Sequence, residues 1–414
     1  MKTRLLLIVP VTLGLTGAIR AEDGASDSLA NPRAEAALPA ASPVSPENSF
    51  VWGNVRGVNN DRFWVNGDYL LAWVHGTGLP PLVTTSPTGT AKAAAGVLGN
   101  PSTSTLFGDT RVNEDMRSGG RVGLGYWFNA DHTHGIEAGT MVLESQATIF
   151  TASSTGTPIL ARPFFDASTN QQNSLLVAFP NSSTGSIAIR ASSGNLYEAH
   201  IDLTENIVSS GGFRLNSLLG YRFYRYDEGL HIQEVMNPTS QLFAQGTQIT
   251  SIDSFTTSNT FHGGDLGLRW QYTWNNLSLG VRTSLAVGGV DRVIKISGSQ
   301  TTTVPNVAPV MQLGGLYALS TNIGKYHRDD WTVIPEFTFD LGWKLSENLS
   351  VRLGYTLFGL DRFARAADQL DFNVNSNFLP PAGASPAGPA RPAFLLKRDD
   401  VWVQALSLGL ELAF

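Results

Sequence analysis

From Asp61 to the C-terminus the chain repeatedly alternates large apolar side chains with small or polar ones, the period-two signature of strands with one oily and one wet face. The clearest segments run through Phe63, Val65, Gly67, Tyr69, Leu71 and Trp73; through Val122, Leu124, Tyr126 and Phe128; and through Leu266, Leu268, Trp270, Tyr272 and Trp274. Two more run through Leu277, Leu279, Val281, Thr283, Leu285 and Val287 and through Phe337, Phe339, Leu341 and Trp343. Weaker alternation covers 134–146, 197–208, 213–226 and 349–359. The last ten residues set Leu406, Leu408, Leu410, Leu412 and Phe414 against Ser407, Gly409 and Glu411. Ten strands are thus expected, or twelve if long loops conceal two more. A change of phase at Gly288-Gly289 predicts a bulge, which glycine tolerates.

The connections alternate in length. Tight turns rich in Asn, Asp, Ser and Gly fall at 129–133, 209–212, 275–276 and 346–348, whereas 76–117, 148–195, 227–251, 297–328 and 366–397 read as long loops. Short turns on one side and long loops on the other, with an even strand number, predict an all-β, antiparallel, up-and-down transmembrane barrel spanning 55–414, short turns periplasmic and long loops outside. Aromatics on the lipid-facing parity support this: Phe63 and Trp73, Phe213 and Phe223, Trp331 and Trp343, and Trp402 and Phe414 lie ten or twelve residues apart. With a tilt of about 40° that spacing projects to roughly 25–30 Å, the height of an apolar membrane band, so these residues are expected to form two girdles. A terminal Phe is the feature barrel-assembly machinery favours, which assigns Phe414 as an assembly signal.

The N-terminus fits export. Lys2 and Arg4 precede an apolar run from Leu5 to Leu15, and small residues follow at Gly17, Ala18 and Ala21, the order of a secretory signal at 1–21. Residues 22–54, with Pro32, Pro39, Pro43 and Pro46, read as a disordered leader. No later stretch approaches eighteen consecutive apolar residues, which excludes a helical membrane protein. The chain has 15% charged residues, no Cys and a net charge of −6. The missing cysteines exclude a disulfide framework, and the mild negative charge argues against a nucleic-acid partner.

The wet parity carries Arg62, Asp68, Arg121, Glu137, Glu198, His200, Asp202, Arg214, Arg222, Asp265, Arg269, Arg282, Asp340, Lys344, Arg352 and Glu411. Of these, Arg121, Glu137, Arg214, Arg222, Asp265, Arg269, Arg282, Asp340 and Arg352 are the candidate pore-lining residues. Such charges either line a water-filled pore or pair across a narrow interior and close it. Ten strands enclose a lumen only modestly wider than the eight-stranded case that side chains fill, which favours pairing.

Chemistry is weakly signalled. His327-Arg328-Asp329-Asp330 and Lys397-Arg398-Asp399-Asp400 place acid–base groups at strand ends, without a nucleophile at an identifying spacing. His132-Thr133-His134 on a tight turn lacks a third metal ligand, and the acidic pairs lack calcium-loop spacing. Gly119-Gly120-Arg121-Val122-Gly123 lies in a strand, the wrong context for a phosphate loop. No cofactor and no enzymatic activity are expected.

Arg62-Phe63-Trp64-Val65, Tyr69-Leu70-Leu71-Ala72-Trp73, Leu79-Pro80-Pro81-Leu82-Val83-Thr84-Thr85, Gly96-Val97-Leu98-Gly99, Thr105-Leu106-Phe107-Gly108 and Arg117-Ser118-Gly119-Gly120-Arg121 with Leu124-Gly125-Tyr126-Trp127 form a block over about 60–145. The block resembles the seventh of the families catalogued as putative beta-barrel porins. The resemblance implies an outer-membrane barrel and, by name, a porin role; it brings no established site residues. Where the family carries a Gly pair, this chain has Gly108-Asp109, which puts the tight turn there in question. The Pro80-Pro81 and Gly96 to Gly108 pieces are expected either to fold the first loop inward as a plug or to form a compact surface loop. The expected function is passive passage of small polar solutes or ions; the alternatives are a non-conducting structural or adhesive surface barrel and, third, a rim-located hydrolase. Expected partners are outer-membrane lipid, the assembly machinery and, if the barrel conducts, small polar solutes.

Overall fold

The structure, a computed structural model, describes residues 62–383 and 386–414. The signal at 1–21, the leader at 22–54 and the first residues of the expected barrel domain, 55–61, lie outside the described residues. Ten long strands form the barrel: β1 (Phe63–Val74), β2 (Arg117–Trp127), β3 (His134–Leu143), β4 (Ser183–Ser210), β5 (Phe213–Pro238), β6 (Gln248–Trp274), β7 (Leu277–Thr303), β8 (Gly324–Lys344), β9 (Leu349–Phe363) and β10 (Asp399–Ala413). Each pairs antiparallel with its chain neighbour, and β10 closes the ring on β1 from Trp64 opposite Ala413 to Val74 opposite Val403. Two further strands, Gln146–Ser154 and Val310–Leu313, extend this sheet above the ring by pairing with β4 and β7.

The tight turns gather at one end. Gly211 and Gly212, both left-handed at φ 56° and 84°, make the two-residue connection between β4 and β5, and Asn275 at φ 51° begins that between β6 and β7. The barrel seam ends at the same level. There the Phe63 N–H donates to the Phe414 carbonyl at 3.1 Å, the Phe414 N–H donates back at 2.8 Å, and the two rings stack 6.2 Å apart.

Two sequence expectations change at the opposite end. Much of the loops expected at 148–195, 227–251 and 297–328 is strand, because β4 to β7 run for 28, 26, 27 and 27 residues. The phase change at Gly288-Gly289 is not a bulge: β7 keeps an unbroken register with both β6 and β8. What changes is the face that is apolar. Below the glycines Leu285 and Val287 point outward to lipid; above them Val290, Ile294 and Ile296 point inward and are buried. The strands leave the membrane, so the oily face moves from the lipid side to the inside of an extracellular head.

From Phe223, at the upper girdle, to Pro238 the strand β5 continues for fifteen residues, which carries the head roughly 40 Å beyond the membrane. Connections fill the concave side of this palisade. Leu79, Leu82, Val83 and Val112 from the β1–β2 connection pack with Leu160, Phe164, Leu316, Tyr317, Ala364 and Leu370 against Ile187, Ile189, Leu230, Ile232, Phe255, Ile294 and Ile296. The first loop therefore folds inward. Its turn at Gly108-Asp109 is intact: Gly108 has φ 98° and a Cβ there would lie 2.0 Å from the Pro80 carbonyl, while Asp109 adopts φ 57° without a second glycine.

Candidate functional site: the barrel lumen

Alternation along each strand aims one residue in two at the barrel axis, and eight of the nine candidate lining residues converge there. Near the tight-turn end Arg121 donates to Asp68 at 2.9 Å, and Arg352 lies 3.4 Å from Asp340, 3.6 Å from Glu411 and 3.9 Å from Asp68. One layer further, Arg269 grips Glu137 with two hydrogen bonds of 2.6 and 2.5 Å, and Arg282 spans Glu137 at 3.0 Å and Asp202 at 2.6 Å. Arg222 bridges Asp265 at 2.6 Å and Glu336 at 2.5 Å, and Glu198 lies 2.8 Å from His200. The ninth, Arg214, sits apart at the periplasmic end, where it donates to the His132 carbonyl at 3.0 Å beneath the Trp127 ring.

Taking such charges out of water costs several kcal/mol per ion, and only close pairing with remaining hydrogen bonds offsets it. The two- and three-way contacts supply that. Between the layers is a cavity of about 70 Å³ lined by Trp64, Asn66, Arg121, Glu137, His200 and Arg222 among others, room for a few waters.

Two more layers lie above. Tyr224, Tyr226, Phe261, Phe358 and Phe363 form a buried plate with Val290, Ile334 and Leu360, and the Tyr224 hydroxyl donates to Glu336 at 3.0 Å. Above the plate Arg365, from the β9–β10 connection, bonds Glu228 at 2.7 Å, the Thr77 hydroxyl at 2.7 Å and the carbonyls of His75 and Gly76 at 3.0 and 3.1 Å. Burial opposes its charge, yet Glu228 raises the Arg365 guanidinium above its ordinary value. This knot ties the first and last long connections together across the barrel mouth. Higher still, Arg162 pairs with Glu234 at 3.0 Å and Asp253 at 2.7 Å, and Asp253 also accepts the backbone N–H groups of Leu316, Tyr317 and Ala318.

Sequence reading overlooked Glu336, although it shares the inward parity of Asp340. It also overlooked Arg162, Glu228 and Glu234, which fell in stretches read as loops, and Asp253 and Arg365, which lie just beyond the loop bounds at 251 and 366 and in no segment read as strand. Continued alternation through 228–234 and 251–261 was the available signal.

Glu137, His200 and Asp202 form the one group among the described residues with ligand-like spacing for a metal, their ligand atoms within 4.8 Å of one another. Arg269 and Arg282 already occupy these carboxylates, and their positive charge disfavours a cation there, so the group reads as part of the ion-pair network. At the outer rim the two charged runs meet. Asp330 gathers Arg398, Arg362 at 3.5 Å and Arg292 at 3.6 Å, an arrangement of ion pairs with no positioned nucleophile among the described residues. His132 is buried beside Trp127 and His134 is exposed, so their turn forms no clip.

The expected girdle residues lie on the outer face: Phe63, Trp331, Trp343, Trp402 and Phe414 are exposed, and Trp73, Phe213 and Phe223 half-buried. Phe223 and Trp331 share one rung of the sheet through His262 and Gly289.

Among solved structures the chain is similar to the outer membrane protease OmpT of Escherichia coli, with 10% identity over 85% of this chain and 97% of that one and a TM-score of 0.40. It is also similar to the toluene transporter TodX of Pseudomonas putida (8% identity, 86% and 90% covered, TM-score 0.20) and to a FadL homologue of Pseudomonas aeruginosa (9%, 86% and 90%, 0.22). These likenesses assign no activity. No curated protein matches the sequence. The family described as Putative beta barrel porin-7 matches residues 64–414, from the first barrel strand to the terminal phenylalanine, and the chain belongs to that family of outer-membrane β-barrels.

Proposed function

We propose that this protein is a closed, non-conducting outer-membrane barrel whose working part is the rigid β head it holds above the cell surface. The observation that carries this is the filled lumen: a charged layer, an aromatic plate and a tied cap lie in series along one axis. The paired charges, the aromatic plate and the cap stand across the axis one after another, and a solute would have to break several buried ion pairs to pass. Protein reconstituted in planar bilayers is expected to show no conductance above background. Steady single-channel currents from the intact chain would overturn the reading.

Passive passage of small polar solutes is the second reading, favoured by the polar cavity at mid-lumen. It requires the cap to open. Arg365→Met removes the knot at the mouth, and channel activity in that variant but not in the parent chain would support gated passage. Catalysis has no part in either reading.

A further inference from the structure

Above the upper girdle the sheet is open, and its two edges differ. One is the upper half of β8, where pairing with β9 stops at Glu336 opposite Phe358 and the edge carries Lys325, His327, Arg328, Asp329 and Asp330. Charged side chains on an edge block the addition of another strand. The other edge is Gln146–Ser154, nine residues paired with β4 on one side only. Its sequence, Gln-Ala-Thr-Ile-Phe-Thr-Ala-Ser-Ser, has no charge, no Pro and no Gly, and its centre is β-branched and aromatic. Phe150 turns inward and stacks on Phe107 at 4.8 Å, which holds the strand in place, while Ile149 points outward and is 63% exposed. The backbone groups facing away from β4 meet no further strand among the described residues. The protein blunts one edge and leaves the other as a template.

We infer that Gln146–Ser154 pairs antiparallel with the same strand of a second, inverted copy of this chain, joining the heads of two facing membranes into one continuous sheet. The inference rests on the reading of the protein as a surface barrel with a working head. Full overlap centres on Phe150 and sets Ile149 opposite Thr151 and Ala147 opposite Ser153 on the outer face, pairs that bring no like charges together. Inversion is required by geometry. Two copies in one membrane are related by an axis along its normal, which puts identical residues at equal height, whereas a parallel ladder needs an offset of one residue. An inverted copy meets the antiparallel condition directly.

The head tips agree with such a partner. Ser154 pairs with Gly185, close below the top of the palisade where Ser183 pairs with Pro238, so full overlap brings each tip to the level of the facing membrane. The two adjoining tips, 239–247 and 304–313, contain no charged residue, and they present Leu242 at 92% and Met311 at 73% exposure. Uncharged apolar tips suit contact with a membrane surface.

The test uses the chain reconstituted in phosphatidylcholine vesicles, with clustering followed by light scattering and folding checked by heat-modifiable migration. Ile149→Lys with Thr151→Lys sets lysine opposite lysine twice across the two-fold axis and is expected to weaken clustering roughly tenfold or more. Ile149→Lys with Thr151→Glu sets each new lysine opposite the new glutamate of the other copy and is expected to restore clustering. The inference fails if the parent chain does not cluster vesicles, if the double lysine variant clusters normally, or if the lysine–glutamate variant does no better than the double lysine variant. Equal clustering with protein-free vesicles would assign adhesion to the tips and would also overturn it. Planar-bilayer conductance decides the closed-barrel reading separately, so a silent barrel that fails to cluster removes only this inference.

Discussion

Asp253 gathers four donors in the head, and its removal should unfasten one connection while leaving the barrel standing. It is fully buried, takes a 2.7 Å hydrogen bond from Arg162, and accepts the N–H groups of Leu316, Tyr317 and Ala318 at 3.0, 3.0 and 2.8 Å. Asp253→Ala leaves three backbone donors and half of a buried guanidinium without partners. Glu234 at 3.0 Å still holds the other half. Breaking one side of a buried ion pair costs about 3–5 kcal/mol, and some of that is recovered as the freed N–H groups turn to water at the open side of the head. The cost falls on the segment 314–319 rather than on the ring, because no barrel strand below the aromatic plate shares these bonds. Hydrogen exchange at 316–318 should accelerate by roughly a hundredfold to several thousandfold, while heat-modifiable migration of the barrel is unchanged. Asp253→Asn keeps the shape and an acceptor oxygen and should fall between the two, with a cost of about 1–3 kcal/mol. If exchange at 316–318 is the same in both variants as in the parent, the carboxylate does not hold this connection and the account of the cap is wrong.

Other outcomes follow from the same geometry. Leu410→Arg, on the lipid face of β10, should cost about 2–4 kcal/mol in folding into lipid vesicles, and a cost below about 1 kcal/mol would show that this face does not meet lipid. Deleting Phe414 removes the two hydrogen bonds it exchanges with Phe63 and the ring stack beside them, so insertion should slow and the seam should fray at its lower end; unchanged insertion kinetics would count against its role as an assembly signal. Acid should loosen the β9–β10 connection of the head. Burial opposes ionisation of Asp371, yet the Ala393 N–H, the Arg391 guanidinium and Asn373 hold its carboxyl below the usual value of 3.8. Asp166 is likewise lowered, against burial, by Ser168 and Ser376. A lowered folded pKa gives stability that is fully present above the unfolded value and is lost as pH falls through the folded one, so proteolysis of the segment 366–397 by an acid-active protease should rise below about pH 4. A segment equally resistant at pH 2 and pH 7 would refute the assignment.

The ring was legible because lipid on one side and a polar interior on the other impose the same alternation on every strand, and because Gly211-Gly212 and Asn275-Asn276 mark reversals by backbone chemistry alone. The lumen was legible as a set of inward charges, since Arg222, Asp265 and Arg269 share one parity. Who pairs with whom was not: Arg269 and Glu137 are 132 positions apart, and closure of the ring alone brings them together. The head was missed for a different reason. On β5 Leu230 and Ile232 carry the apolar set on the opposite parity from the membrane part of the strand, on β4 Ile187 and Ile189 keep the parity of Tyr197 and Ile201 and turn inward through the register shift between Ser193 and Leu196, and Ser, Thr and Gly between them match the composition of loops. Edge status, which gives Gln146–Ser154 its interest, depends on where β2 stops and has no local signature at all.

The reversal of the apolar face at Gly288-Gly289 gives the molecule its own waterline. Just above it the outer surface carries Asp291 and Lys295 on β7 and the Arg225–Asp227 pair on β5; Trp331 lies level with it and Leu285 and Val287 just below. Sinking by two residues per strand would bring Asp291 and Arg225 to the edge of the hydrocarbon, where a cation costs up to about 1 kcal/mol, and each further step inward costs more. Rising by the same amount would strip lipid from the leucine and valine band. The barrel floats at one draught, so the reach of the head above the surface is a constant of the protein rather than of the membrane that carries it.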